Sequence, residues 1–197
     1  MASNRKDIPY HYYSLDEYFA LEQASDARFE YWDGDIVCMS GGSLEHQQIA
    51  SNVFFRLRLQ LSGGRCRVFI FDLAVKTPML PPYRYPDVVA ACGELQAERI
   101  HGLDALINPV LIVEVLSPTT ASRDHNEKFL AYQALPSFQE YLLIAQDAPR
   151  VTHYARQADG SWLREDMTDL SATLVLESIG CRLSLSEIYE EVRFSAA

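Results

Sequence analysis

The chain has no run of about twenty apolar residues, the length a helix needs to cross a bilayer, so helical membrane insertion is excluded. Its start, Met1-Ala2-Ser3-Asn4-Arg5-Lys6-Asp7, lacks the apolar centre of a signal peptide, and a cytoplasmic protein is expected. The cysteines, Cys38, Cys66, Cys92 and Cys181, stand far apart without a Cys-x-x-Cys pair. That pattern favours reduced, buried thiols over disulfides or zinc ligands. No His-x-x-x-His spacing supports a zinc site either. A basic footprint is also missing: 17 Lys and Arg face 27 Asp and Glu, for a net charge of −10. General nucleic-acid binders draw most of their non-specific affinity from basic residues. A nucleic-acid partner would therefore require a local basic groove, bound divalent cations, dimerisation or a partner subunit.

What is present is 197 residues with 48% hydrophobic content, enough for one globular domain over 1–197. No linker, repeat or low-complexity segment divides it. Ser14-Leu15-Asp16-Glu17 has the form of a capping box and predicts a helix to about Gln23. Phe29 to Trp32 and Asp35 to Met39 flank Asp33-Gly34 and predict a tight hairpin. Ile49, Val53, Leu57 and Leu61 form the apolar stripe of a helix from Ser43, ended by Gly63-Gly64. Strands are predicted at 66–71, 73–77, 87–92 and 110–116, and a helix from about Ser122 to Ala134, before Leu135-Pro136. Strands resume at 141–145, 151–156, 162–167 and 173–176, and Ser184-x-x-Glu187 opens a last short helix. The fold class is α/β or α+β.

The feature that points to chemistry is Glu114. It interrupts Pro109-Val110-Leu111-Ile112-Val113-Glu114-Val115-Leu116, a run that reads as a central strand buried on both faces. An unpaired carboxylate there would cost several kcal/mol, so protonation, a cation from another element or a metal ion must neutralise it. A second apolar run, Tyr85-Pro86-Asp87-Val88-Val89-Ala90-Ala91-Cys92, carries Asp87 at its start, and Lys128 lies on the helix after Glu114. Two carboxylates and a lysine suit phosphodiester hydrolysis. A carboxylate-held divalent metal activates water, neutralises phosphoryl oxygens and stabilises the leaving oxyanion, and a lysine orients or deprotonates the water.

Pro86-Asp87, then Glu114, then a lysine on the following helix resembles the PD-(D/E)XK nuclease superfamily. The longer series Tyr85-Pro86-Asp87-Val88-Val89, Val113-Glu114-Val115-Leu116-Ser117-Pro118-Thr119, Asp124, Lys128 and Tyr132 resembles the Uma family of restriction-endonuclease-like proteins within it. Glu30 four residues before Gly34, and His46 on the next helix, fit the same family. The resemblance covers roughly residues 14–192. It implies a restriction-endonuclease-like mixed central β-sheet flanked by helices, with an N-terminal β-hairpin. It also implies Asp87, Glu114 and the Val115 carbonyl as ligands of Mg2+ or Mn2+, Glu30 as a further acid at the edge of the site, and Lys128 as the catalytic lysine. The chain departs from Glu-x-Lys, because Leu116 occupies the lysine position and the lysine has moved to the helix.

Blander readings stand beside these. Asp124 and Lys128 have the spacing of an exposed helical salt bridge. Glu114 could be a structural ion pair with Arg84 or Arg123. Glu30 could face solvent, His46 could be a surface or capping residue, and Asp72 is a candidate for the edge of the same cavity. The leading expectation is a metal-dependent endonuclease acting on DNA, working as a homodimer by the usual symmetry of such assemblies. The alternative is a catalytically inactive nuclease-fold protein that binds a protein or nucleic-acid partner.

Overall fold

The computed structural model describes residues 11–25, 27–39, 42–80, 82–100, 103–117 and 121–194. Helix α1 (Leu15–Ala24) opens on Ser14, with both halves of the capping box formed. The hairpin β1 (Phe29–Trp32) and β2 (Asp35–Cys38) turns through Asp33 and Gly34, with φ of 42° and 89°. A Cβ on Gly34 would lie 2.3 Å from ring carbons of Tyr12, so close packing as well as backbone conformation requires glycine there. Helix α2 (Leu44–Gln60) is capped by the Ser43 side chain, and Ile49, Val53 and Leu57 of its apolar stripe are fully buried.

The strands that follow are β3 (Cys66–Ile70), β4 (Ala74–Lys76), β5 (Tyr83–Arg84), β6 (Val88–Cys92), β7 (Ala97–Ile100), β8 (Leu103–Leu106) and β9 (Leu111–Leu116). A helical segment consists of α3 (Ala121–Arg123), a π-helical turn (Asp124–Lys128) and α4 (Phe129–Gln133). The chain closes with β10 (Glu140–Ala145), β11 (Val151–Arg156), β12 (Trp162–Met167), β13 (Thr173–Leu176), β14 (Cys181–Ser184) and α5 (Leu185–Ile188).

The main sheet has the order β12-β11-β10-β9-β6-β3, with β9 and β10 parallel and the other neighbours antiparallel. As the apolar run predicts, β9 is central. Leu111, Val113 and Val115 pack toward α2, whereas Ile112 packs toward Tyr132 and Phe138 on the opposite face. Glu114 shares the parity of Ile112 and therefore points to the side of α4. A second sheet, β5-β4-β8-β7, supports the N-terminal hairpin through a cluster containing Tyr18, Tyr31, Tyr83 and Tyr85.

The cysteines depart from expectation. Cys66 and Cys92 are directly opposed across β3 and β6 and form a disulfide, and buried Cys181 takes no part in it. The pairing arises from antiparallel register, which spacing along the chain does not disclose. The motif residues Pro118 and Thr119 lie outside the described residues.

Candidate active site

Glu114 is 3% exposed and has two partners from the helical layer. Lys128 Nζ donates to Oε2 at 3.2 Å, and the Tyr132 hydroxyl donates to Oε1 at 3.0 Å. The same ammonium lies 3.3 Å from Glu30 Oε1 and 3.1 Å from Asp124 Oδ1. Three carboxylates from β1, β9 and the π turn thus surround one buried lysine. The expectation of an exposed Asp124–Lys128 pair is overturned, since both residues are buried with the turn that carries them. An ordinary helix would also set these residues on one face. Here that face is turned onto β9 in a π-helical segment, a local geometry frequent at functional sites.

Glu30 is equally buried, so the solvent-facing reading fails. It is held in place from two sides, accepting from Trp32 Nε1 at 3.1 Å and from the backbone N–H of Tyr85 at 3.0 Å. Arg84 and Arg123, the other cations considered for Glu114, instead stack on the Trp32 ring at 4.3 Å and 5.0 Å. Lysine, not arginine, is therefore the cation at Glu114.

Asp87 precedes β6, whose register pairs Val88 with Val113 and so brings Asp87 level with Glu114. Its Oδ2 accepts the backbone N–H of Val115 at 2.6 Å, and its Oδ1 lies 2.9 Å from His46 Nε2. His46 is thus a partner of Asp87, not a surface residue. Asp72 is exposed and lies outside the cleft, whereas its neighbour Phe71 lines it. Gln146, just past the end of β10, also lines the cleft and went unnoticed in the sequence. Its only signal was its place after an apolar strand that pairs with β9.

These residues enclose a cleft of about 270 Å³ lined by His46, Asp87, Glu114, Val115, Asp124 and Lys128. Burial drives the Glu114 carboxyl well above the usual glutamate range; Lys128 opposes this, and Asp124, Asp87 and Glu30 reinforce it. Burial pulls the Lys128 ammonium down, but Glu114, Glu30 and Asp124 more than offset it and hold it well above its usual value. Burial likewise lowers His46, and the Asp87 and Asp124 carboxylates overcome that and raise it. The site is short of positive charge.

That shortage is the test of whether a divalent cation suits these residues. Asp124 Oδ1 is buried and, although close to the ammonium, accepts no hydrogen bond. Among the described residues no three His, Cys, Asp or Glu side chains converge as a metal cage. Asp87, Glu114 and Asp124 nevertheless line the cleft together, and oxygen donors of this kind suit a magnesium ion keeping several waters.

Over residues 15–186 the sequence matches the Uma2 family, described as "Putative restriction endonuclease". The chain belongs to this family. Two Synechocystis sp. (strain ATCC 27184 / PCC 6803 / Kazusa) proteins, both described as uncharacterized, are similar to it. One, slr1290, is 31% identical over 194 residues, covering 98% of this chain and 100% of its own. The other, sll1609, is 32% identical over 158 residues, covering 80% and 89%. A crystal structure from Anabaena variabilis ATCC 29413, of a "putative nuclease belonging to DUF820", superposes with a TM-score of 0.71 at 20% identity. It covers 90% of this Uma2-family chain and 97% of its own, which shows a shared fold.

Proposed function

We propose that this Uma2-family protein is a metal-dependent endonuclease that hydrolyses phosphodiester bonds of DNA. The observation carrying this reading is the convergence of Asp87 just before β6, Glu114 on β9 and Lys128 on a π-helical turn at one carboxylate-rich cleft. Asp87, Glu114 and the Val115 carbonyl would hold Mg2+ or Mn2+, which when bound supplies Lewis acidity and a water of lowered pKa. His46 and the Val115 N–H hold the Asp87 carboxylate in place, and Tyr132 does the same for Glu114. Glu30 and Asp124 anchor Lys128 from the sides. From there the ammonium can orient the attacking water and hydrogen-bond a phosphoryl oxygen. A homodimer, each copy serving one strand, fits double-strand cleavage.

Plasmid nicking by wild type, Asp87→Ala and Lys128→Ala, with Mg2+, with Mn2+ and with chelator, tests the proposal. Metal-dependent nicking lost in both variants is the expected result. Absence of nicking by wild type with either metal would contradict it. One observation favours a second reading: Lys128 already neutralises part of the carboxylate cluster, as a structural ion-pair network would. In that case the protein is an inactive nuclease-fold binding module, marked by metal-independent partner binding without turnover.

A further inference from the structure

Strand register extends the surface beyond the cleft. Glu114 pairs with Leu143, Leu143 with Thr152, and Thr152 with Asp166, so one row of side chains crosses β9, β10, β11 and β12 on a single face. Thr152 lies two strands from Glu114, about 10 Å away at ordinary strand spacing. By alternation, Tyr154 and Arg156 share that face along β11, as do Trp162 and Arg164 along β12, and Arg150, just before β11, lines the same cavity as Thr152 and Arg164. Arg164 stacks over Tyr154 at 5.8 Å and Arg156 over Trp162 at 6.0 Å. The same two rings pack against Phe129 of α4, so they anchor the arginines from the core side and the open part of the face lies toward Arg150, Thr152 and Arg164.

Beside the row is a cavity of about 400 Å³ lined by His125, Arg150, Thr152, Arg164 and Asp166, with Leu116 at its inner edge. Its acids are Asp166, 3.0 Å from Arg164, and nearby Asp147, 4.0 Å from Arg150. His125 belongs to the same π turn as Lys128, so the cavity adjoins the cleft. In a chain with a net charge of −10, Arg150, Arg156 and Arg164 against Asp147 and Asp166 leave a local excess of one positive charge beside the cleft, opposite in sign to the chain as a whole.

We propose that the β11–β12 ribbon is the rail for a nucleic-acid strand, and that the cavity floored by Thr152 seats a backbone phosphate flanking the scissile one. The inference rests on the nuclease reading and deepens it. Arg150 and Arg164 grip the phosphate, while Tyr154 and Trp162 plant the neighbouring arginine side chains.

The test is anisotropy of a labelled DNA oligonucleotide with the full chain in Ca2+ across a salt series, alongside cleavage in Mg2+. Wild type is compared with Arg150→Ala, Arg164→Ala and their double variant. Arg58→Ala, an exposed arginine on α2, removes the same charge elsewhere. Arg150 and Arg164 side chains are 55% and 53% exposed, so folding is expected to survive their loss. Each rail variant is expected to weaken binding and to lower the slope of log affinity against log salt by about 0.7 to 0.9, with Arg58→Ala matching wild type. If the double variant binds like Arg58→Ala while wild type cleaves, the rail is overturned and the nuclease reading stands. If wild type neither binds nor cleaves, both fall.

Discussion

The backbone N–H of Val115 donates to Asp87 Oδ2 at 2.6 Å, so the acid immediately before β6 is tied to the peptide just after the buried acid of β9. The two carboxylates are thereby set side by side by main chain, with no long side chain needed to position them.

This bond separates the structural from the chemical role of Asp87. Asp87→Asn keeps an acceptor for Val115 N–H and should change stability by less than about 1 kcal/mol. Asp87→Ala leaves that N–H without its partner and should cost about 1–3 kcal/mol. Urea unfolding of the two variants checks the difference. Both should lose metal binding.

Lys128 is the sole lysine or arginine within ion-pair distance of Glu30, Glu114 and Asp124 among the described residues. Lys128→Met should destabilise the metal-free fold by about 3–5 kcal/mol, the usual penalty for breaking a buried ion pair from one side. Divalent metal should restore part of that loss, read as a rise in the urea midpoint.

The pH dependence of the metal-free fold has a definite sign. Glu114 is raised above its ordinary value of 4.5, so its contribution is complete below that value and is lost as pH rises through the folded one. Glu114→Gln should remove this decline above about pH 4.5. Exposed carboxylates such as Asp166, lowered by Arg164 and Thr152, act in the opposite sense at lower pH. The comparison of wild type with Glu114→Gln across pH 5 to 8 is therefore the discriminating measurement, and equal slopes would refute the assignment.

The Cys66–Cys92 disulfide predicts two titratable thiols in denatured, unreduced protein and four after reduction. Closing the intervening loop should stabilise the oxidised form by about 3 kcal/mol in the chain-entropy account. Four thiols without reductant would restore the reduced state expected from cysteine spacing.

Much of the fold was legible because its signals are local. Ser14-x-x-Glu17 and Ser184-x-x-Glu187 both form capping boxes, Asp33-Gly34 makes the hairpin turn, and the α2 stripe is buried. Strands β5, β7, β8 and β14 were missed. Ala97-Glu98-Arg99-Ile100 carries charges where an apolar period would reveal a strand, and Tyr83-Arg84 is too short to show one. In the site, Glu114 announced itself as a charge inside an apolar run. Asp124 and His46 stood out only through the family resemblance, and Gln146 not at all, since polar residues on helices and at strand ends look solvated until the fold turns them inward. The disulfide and the Arg-rich face of β11 and β12 likewise depend on register between strands.

The most direct test of the central claim is calorimetric titration of wild type, Asp87→Ala and Glu114→Gln with Mg2+ and Mn2+. The account predicts that wild type binds a divalent ion and that each variant loses that binding while remaining folded. Binding unchanged in both variants, or absent from wild type, would contradict a metal site at Asp87 and Glu114.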